Sequence, residues 1–268
     1  MATKNIVIVA DCSDVAIEQI KAKFSKFLPE DNLNFYPVIV SNFQINNGIL
    51  LSKLVADEIP HGKNTLFLAI VNPLSDKPKR MFAELENGTL IVGADTGIFT
   101  LLFDEFRIKQ AYKNKEQGHV SFGGLHMHTT IAAKLLNREN KSNLGVKIPE
   151  SNVKRRYPEK GEVVHIDNFG LIKLWYRMSD FDFSEGQKVK IKNENGEVFE
   201  AFFSTRMMDN DDNDLVVYPG SSLLKKNKGD DLEDYAKTGL VEIGMVRSSK
   251  TAEKLNVEIG DVLKLLID

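Results

Sequence analysis

Over its first 71 residues the chain alternates between short, almost wholly apolar runs and amphipathic segments, and few folds accept that order. Ile6 to Ala10 is an uninterrupted β-branched run. It is followed by Ser13 and Asp14, either of which could cap a helix, and then by Ile17, Ile20, Phe24 and Phe27 at helical spacing until Pro29. Leu33 to Val40 reads as a second strand, Ile45 to Val55 as a second amphipathic helix, and Thr65 to Val71 as a third strand. Strands that are apolar on both faces belong inside a parallel sheet covered by helices, so the expected fold class is α/β with a mostly parallel N-terminal sheet and flanking helices. Thr89 to Gly93 adds a strand and Thr129 to Leu136 a helix.

From Asn137 to Gly161 the chain turns polar, with Lys154-Arg-Arg in its midst, which reads as a solvated linker between domains at 1–150 and 161–268. Beyond it the texture becomes alternating. Strands are expected at Glu162 to Ile166, Leu171 to Tyr176, Lys188 to Lys192, Val198 to Ser204, Leu215 to Tyr218, Leu240 to Val246 and Val262 to Ile267. Asn195-Gly196 suggests a tight primed hairpin turn between two of them. A smaller C-terminal antiparallel β-barrel or sandwich is the expectation.

Charge narrows the partners. Lys and Arg number 35 against 38 Asp and Glu, a formal charge of -3, so nothing draws the chain to nucleic acid or to an anionic membrane. The apolar run behind Met1 is too short for a signal segment or a membrane span, and a single cysteine suits a reducing compartment, so a cytoplasmic location is expected. That cysteine, Cys12, could be a nucleophile, but no motif supplies it with a base, and a small buried residue is the plainer reading.

In such a sheet ligands gather beyond the carboxyl ends of the strands, where Asp11, Asn72 and Asp95 are expected to converge. Acids there could bind a sugar diol, or they could cap turns. No Gly-x-Gly-x-x-Gly or Walker loop supports a dinucleotide or nucleoside triphosphate. His126-Met-His128 lacks further metal ligands at a recognisable spacing, and Asp209 to Asp214 lacks the glycine and the glutamate of a calcium loop, so no metal is expected.

Six segments, in order, resemble the S-adenosylmethionine hydroxide adenosyltransferases, relatives of the fluorinating and chlorinating enzymes. They are Ile8-Val-Ala-Asp11; Ala69-Ile-Val-Asn-Pro73 continuing to Lys79-Arg80; Val92-Gly-Ala-Asp-Thr-Gly97; Ser121-Phe-Gly-Gly with its helix; Val164-His-Ile-Asp-Asn-Phe-Gly170; and Gly239-Leu-Val-Glu-Ile-Gly with Ile259-Gly-Asp. The resemblance implies S-adenosylmethionine as substrate or ligand, with no separate cofactor, and displacement at the ribose C5′ giving adenosine and methionine. It also implies a homotrimer in which the second domain of one subunit completes the site of its neighbour.

Carried over position by position, the resemblance gives a ligand-binding set of Asp11, Asp95, Phe122, Asp167, Phe169 and Lys237. The hydrolases' water-activating Asp, Arg and His fall at Asn72, at Lys79 or Arg80, and at Gly123, so only the cation survives. Leu171 and Thr96 also depart from the family's asparagines. A weakened or altered hydrolase is therefore expected, in which His126 or His128 could replace the lost base. A non-catalytic nucleoside-binding trimer is the alternative. Halogenation is a further one, since the chlorinating relatives carry a glycine at the place of Gly123, but the tyrosine they hold near position 72 is absent.

Overall fold

The computed structural model describes residues 3–73, 78–115, 121–224 and 238–267. The chain divides into two units, Met1–Tyr157 and Pro158–Asp268.

In the first unit β1 (Lys4–Ala10), α1 (Asp14–Phe27), β2 (Leu33–Ile39), α2 (Ile45–Glu58) and β3 (Thr65–Ile70) follow in the order that the hydrophobic pattern predicts. They are joined by β4 (Arg80–Leu85), β5 (Leu90–Ala94), α3 (Thr100–Phe106), β6 (Ile108–Asn114), a π-helix (Gly124–His128) running into α4 (Thr129–Leu136), α5 (Lys141–Leu144) and β7 (Gly145–Ile148). The strands lie in the order β2-β1-β3-β5-β4-β6-β7. β2, β1, β3 and β5 pair in parallel, and β4, β6 and β7 add antiparallel ladders, so the sheet is mixed.

Every residue of β1 and β3 is buried. Alternate residues feed two cores. Val7, Val9, Phe67, Ala69 and Ile91 pack under α2 and α3, while Ile6, Ile8, Leu66, Leu68 and Val92 pack under α1 and α4. Ser13 stands at the N-cap of α1 without a side-chain bond, and it is Asp14 whose Oδ1 accepts from the Ala16 N–H at 3.0 Å.

The second unit holds β8 (Val163–Ile166), β9 (Ile172–Arg177), β10 (Lys188–Lys192), β11 (Val198–Phe203), β12 (Leu215–Pro219), β13 (Leu240–Met245), α6 (Thr251–Leu255) and β14 (Lys264–Ile267). Their order is β14-β10-β11-β12-β13-β9-β8, antiparallel except where β11 meets β12. The sheet curls into a half-barrel: Val163 N–H donates to Asp261 O at 2.7 Å and Leu263 N–H to Gly161 O at 2.9 Å, bringing the approach to β14 against the start of β8. Ile172, Leu174, Val189, Ile191, Val217, Val241 and Ile243 fill the inner face.

The β10–β11 hairpin departs from the primed turn expected at Asn195-Gly196. Only Gly196 has positive φ, at 86°, and the Gly196 N–H closes back on Asn193 O at 3.0 Å. The longer loop runs from Asn193 to Glu197, and Asn193 Oδ1 accepts from the Glu197 N–H at 3.0 Å, so the asparagine side chain supplies a bond that a two-residue turn would leave to the backbone. Among the described residues no helix is long and apolar enough to cross a membrane.

Candidate functional site

The order β2-β1-β3 means that the chain leaves β1 to one side and later crosses to the other, and the crevice of an α/β sheet opens where this reversal occurs. Asp11 follows β1 and Asn72 follows β3 at that point. Asp11 Oδ2 accepts from the backbone N–H of Asn72 at 3.0 Å and of Phe43 at 3.3 Å. Among the described residues Oδ1 accepts nothing, so a carboxylate clamped through one oxygen presents the other. Phe43 itself is exposed and held at φ 63°, a left-handed backbone that is uncommon for an aromatic residue. Nothing in its local sequence marks it.

Asp95 follows β5, the next parallel strand. Its N–H donates to Lys79 O and its Oδ1 accepts from the Lys154 N–H, both at 2.9 Å. Burial raises its carboxyl above the ordinary value, against the opposing pull of the Lys154 N–H and of the Lys154, Arg155 and Lys79 charges. Gly97 is required beside it, because at φ 84° a Cβ would stand 2.6 Å from the Cβ of Arg156. Part of Asp95's role is therefore to fasten the segment around residue 154.

The two candidate cations separate. Lys79 is exposed and engages Asp95 through its carbonyl, whereas Arg80 opens β4 opposite Ala94 and is half-buried. Arg80 Nη2 lies 3.1 Å from where a Cβ on Gly123 would be. The structure thus brings Arg80, not the Lys79 side chain, to Gly123. Phe122, just before it, is exposed and strained at φ 50°. Gly124 serves a different end: a Cβ there would fall 2.4 Å from Ile70 Cγ2, so its absence lets the π-helix sit down on β3.

The two histidines of His126-Met-His128 lie in different surroundings, His126 exposed and His128 buried, which suits no shared metal ion. His128 Nδ1 lies 3.3 Å from Ala69 O and therefore carries the proton, while Nε2 is buried without a partner. Burial first, and the Arg80 charge as well, push its pKa to about 4 against the Ala69 bond. His128 is thus a neutral imidazole near neutral pH and a weaker base than an ordinary histidine. Burial, with Asp11 and Asp14 nearby, raises the Cys12 thiol, which disfavours the nucleophilic thiolate.

In the second unit Asp167 Oδ1 accepts from the N–H groups of Phe169 at 2.9 Å and Leu171 at 3.0 Å, so it organises its own turn. Gly170 completes the turn at φ 77°, where a Cβ would meet Ser249 O at 2.3 Å. Phe169 projects from it, 68% exposed. Lys237 lies outside the described residues.

Close by in the sheet is a group that the alternating pattern did not reveal. Lys173, Glu242 and Tyr218 lie side by side on β9, β13 and β12; Lys173 Nζ reaches Glu242 Oε1 at 2.7 Å and Tyr218 Oη donates to Oε2 at 2.9 Å. Glu242 is only 3% exposed. Burial and the Glu242 charge push the Tyr218 hydroxyl well above its ordinary value.

The sequence profile of the S-adenosylmethionine hydroxide adenosyltransferase N-terminal domain matches residues 6–145, just over half of the chain. The (R)-S-adenosyl-L-methionine hydrolase of Methanocaldococcus jannaschii is 25% identical over 146 residues, which are 52% of this chain and 53% of that protein. The chain thus spans about half the length of the curated relative it matches. Among crystal structures, an uncharacterized conserved protein from Thermotoga maritima superposes with a TM-score of 0.74 at 18% identity, covering 97% of this chain and all of that one. A conserved hypothetical protein from Thermus thermophilus gives 0.71 at 19% identity, with 98% and 100% coverage. These two share the fold. With the profile match and the segments that carry the resemblance, the chain belongs to the S-adenosylmethionine hydroxide adenosyltransferase family, as a divergent member.

Proposed function

We propose that the protein binds S-adenosylmethionine through the ribose hydroxyls at Asp11 and hydrolyses it slowly. Water attacks C5′, the C5′–sulfur bond breaks, methionine leaves as a neutral thioether and the water proton passes to solvent. The observation that carries this reading is the Asp11 carboxylate at the β1–β3 reversal, clamped through Oδ2 and open at Oδ1. A charged acceptor so placed suits a hydroxyl donor of the ribose.

The sulfonium leaving group needs no proton, so the protein's share of the chemistry is to orient water and ease the loss of its proton. Arg80 over Gly123 can hold the water; Asn72 accepts a hydrogen bond but is no base, and Gly123 has no side chain. Weakened turnover follows. Because the relative from Methanocaldococcus jannaschii is named for the (R) sulfonium epimer, both epimers belong in any assay.

A second reading, a nucleoside-binding protein without catalysis, draws on the same absence of a base at positions 72 and 123. Either function would be housed in a cytoplasmic homotrimer whose neighbouring second domain, with Asp167 and Phe169, meets the methionine end of the ligand. Light scattering should then report three chains per particle. Calorimetry with adenosine and with each epimer tests the site: Asp11→Ala should lose roughly 1.5 to 3 kcal/mol of binding, the range for hydrogen bonds to charged groups. Absent binding by the parent protein, or equal binding by the variant, contradicts the assignment.

A further inference from the structure

The polar stretch that the sequence presents as a solvated linker is fastened to the first unit over its central residues. Val153 is buried in the core under α2 and α3. The Lys154 N–H donates to Asp95 Oδ1 at 2.9 Å, the Arg155 guanidinium stands 4.7 Å over the Phe103 ring, and Tyr157 Oη donates to Asp104 Oδ2 at 2.9 Å. A tether between domains makes few contacts, so residues 153–157 are a strap rather than a solvated linker.

Arg156 is the member of the strap that reaches two elements at once. Its N–H donates to Thr100 Oγ1 at 2.8 Å, and Thr100 Oγ1 donates in turn to Gly97 O at 2.6 Å, in the turn that follows Asp95. Its Nε donates to Asn46 Oδ1 at 2.7 Å, in the first turn of α2. Gly97 permits the approach, since at φ 84° it brings its backbone to where a Cβ would stand 2.6 Å from the Arg156 Cβ.

Asn46 adjoins the loop that clamps Asp11. Oδ1 of the next residue, Asn47, accepts from the Ser41 N–H at 3.0 Å, and the Gln44 N–H returns to Ser41 O at 3.0 Å. Within that loop Phe43 is bent to φ 63° and gives its N–H to Asp11 Oδ2 at 3.3 Å. An aromatic residue keeps such a backbone only where its surroundings hold it. Arg156 thus links the turn after β5 to the helix after β2, while Asp11 and Asn72 follow the two strands that lie between, β1 and β3.

We propose that Arg156 is a positioning residue for the candidate site. By joining the Asp95 turn to the start of α2 it holds the Phe43 loop in place, and with it the Phe43 N–H against Asp11 Oδ2, which leaves Oδ1 open. That Oδ1 receives a ribose hydroxyl rests on the reading above; the lock on the Phe43 loop does not.

The lock is tested by amide hydrogen exchange of the full chain without ligand, in the parent, Arg156→Met, Asn46→Ala and the double variant. Arg156→Met should speed exchange of the Ser41 and Phe43 amides about two- to tenfold, the factor that one lost hydrogen bond represents, while the amides of β1 and β3 keep their rates. Asn46→Ala should do the same, and the double variant should be no faster than either alone, because each removes the same bond. Arg156→Lys, which keeps a cationic donor, should recover part of the protection. Unchanged exchange at Phe43 in Arg156→Met, factors that multiply in the double variant, or a rise shared equally by β1 and β3 overturns the proposal. Calorimetry with adenosine then separates the lock from its use: Arg156→Met should weaken binding about two- to tenfold, in step with the exchange. Equal binding by the parent and Arg156→Met contradicts the positioning role. A parent that binds no adenosine, but whose Phe43 amide still responds to Arg156→Met, retains the lock and removes the nucleoside reading instead.

Discussion

Arg80 Nη2 lies 3.1 Å from the point where a Cβ on Gly123 would sit, whereas the neighbouring Gly124 would drive a Cβ to 2.4 Å from Ile70 Cγ2. The two glycines should therefore respond differently to the same substitution. Gly123 has ordinary helical backbone, φ -56°, and the group in its way is the far end of a flexible side chain. Gly123→Ala should leave the unfolding free energy within about 1 kcal/mol, since the helix-propensity gain of about that size offsets a small shift of Arg80. Gly124→Ala must displace a β-branched core residue, and should cost about 1 to 3 kcal/mol. Urea denaturation of the two variants distinguishes them; equal losses would mean that Arg80 is as rigidly held as Ile70.

The elements legible in the sequence are those whose burial is complete or cleanly alternating. β1 and β3, buried throughout, are apolar from Ile6 to Ala10 and from Leu66 to Ile70, and β10 alternates between buried Val189 and Ile191 and its lysines. β4 and β6 were not legible, because Arg80 and Glu84 in one and Lys109, Gln110 and Lys113 in the other interrupt the pattern; these strands form because they pair with each other and with β5. Asp11, Asn72 and Asp95 could be placed at strand ends from the pattern alone, but the choice between Lys79 and Arg80 needed the register that puts Arg80 opposite Ala94. His128 was visible only as one of a pair, since the π-turn that buries one ring and exposes the other leaves no periodic trace.

Acid should destabilise the first unit through His128. Its pKa falls from 6.5 to about 4 on folding, so the unfolded chain binds the proton more tightly; stability is full above 6.5 and is lost as the pH falls toward 4. The loss is on the order of 3 kcal/mol at 1.36 kcal/mol per pH unit. Asp95 acts with the opposite sign. Its raised carboxyl weakens the fold at neutral pH, and that penalty fades as the pH falls into the ordinary carboxylate range. Thermal melts should show His128→Phe flattening the acid limb, and Asp95→Asn gaining on the parent at neutral pH with the gain shrinking in acid. An unchanged acid limb in His128→Phe would place the sensitivity elsewhere.

The Lys173–Glu242–Tyr218 group should be costly to break and cheap to replace whole. Glu242→Ala removes the one fully buried member and leaves a half-buried ammonium and a half-buried hydroxyl without their acceptor, and should lose about 3 kcal/mol. Lys173→Met, Glu242→Leu and Tyr218→Phe together should recover most of it, since no charge is then left unpaired. By contrast Arg206→Ala, which removes an exposed pair with Asp209, should not register. Denaturation followed in each variant decides between them, and a triple variant as unstable as Glu242→Ala would show that the three side chains are held for their shape.

The most direct measurement is the quantity of adenosine and methionine formed from each sulfonium epimer by the unmodified chain and by Asn72→Asp with Gly123→His. A positioned general base contributes about 10² to 10⁴ in rate, or roughly 2.7 to 5.4 kcal/mol of barrier. Slow but finite adenosine formation by the parent, in equal amount with methionine and raised by the double variant, is the expected result. Rapid turnover by the parent, unaltered or lowered in the double variant, would contradict the claim that positions 72 and 123 limit the chemistry.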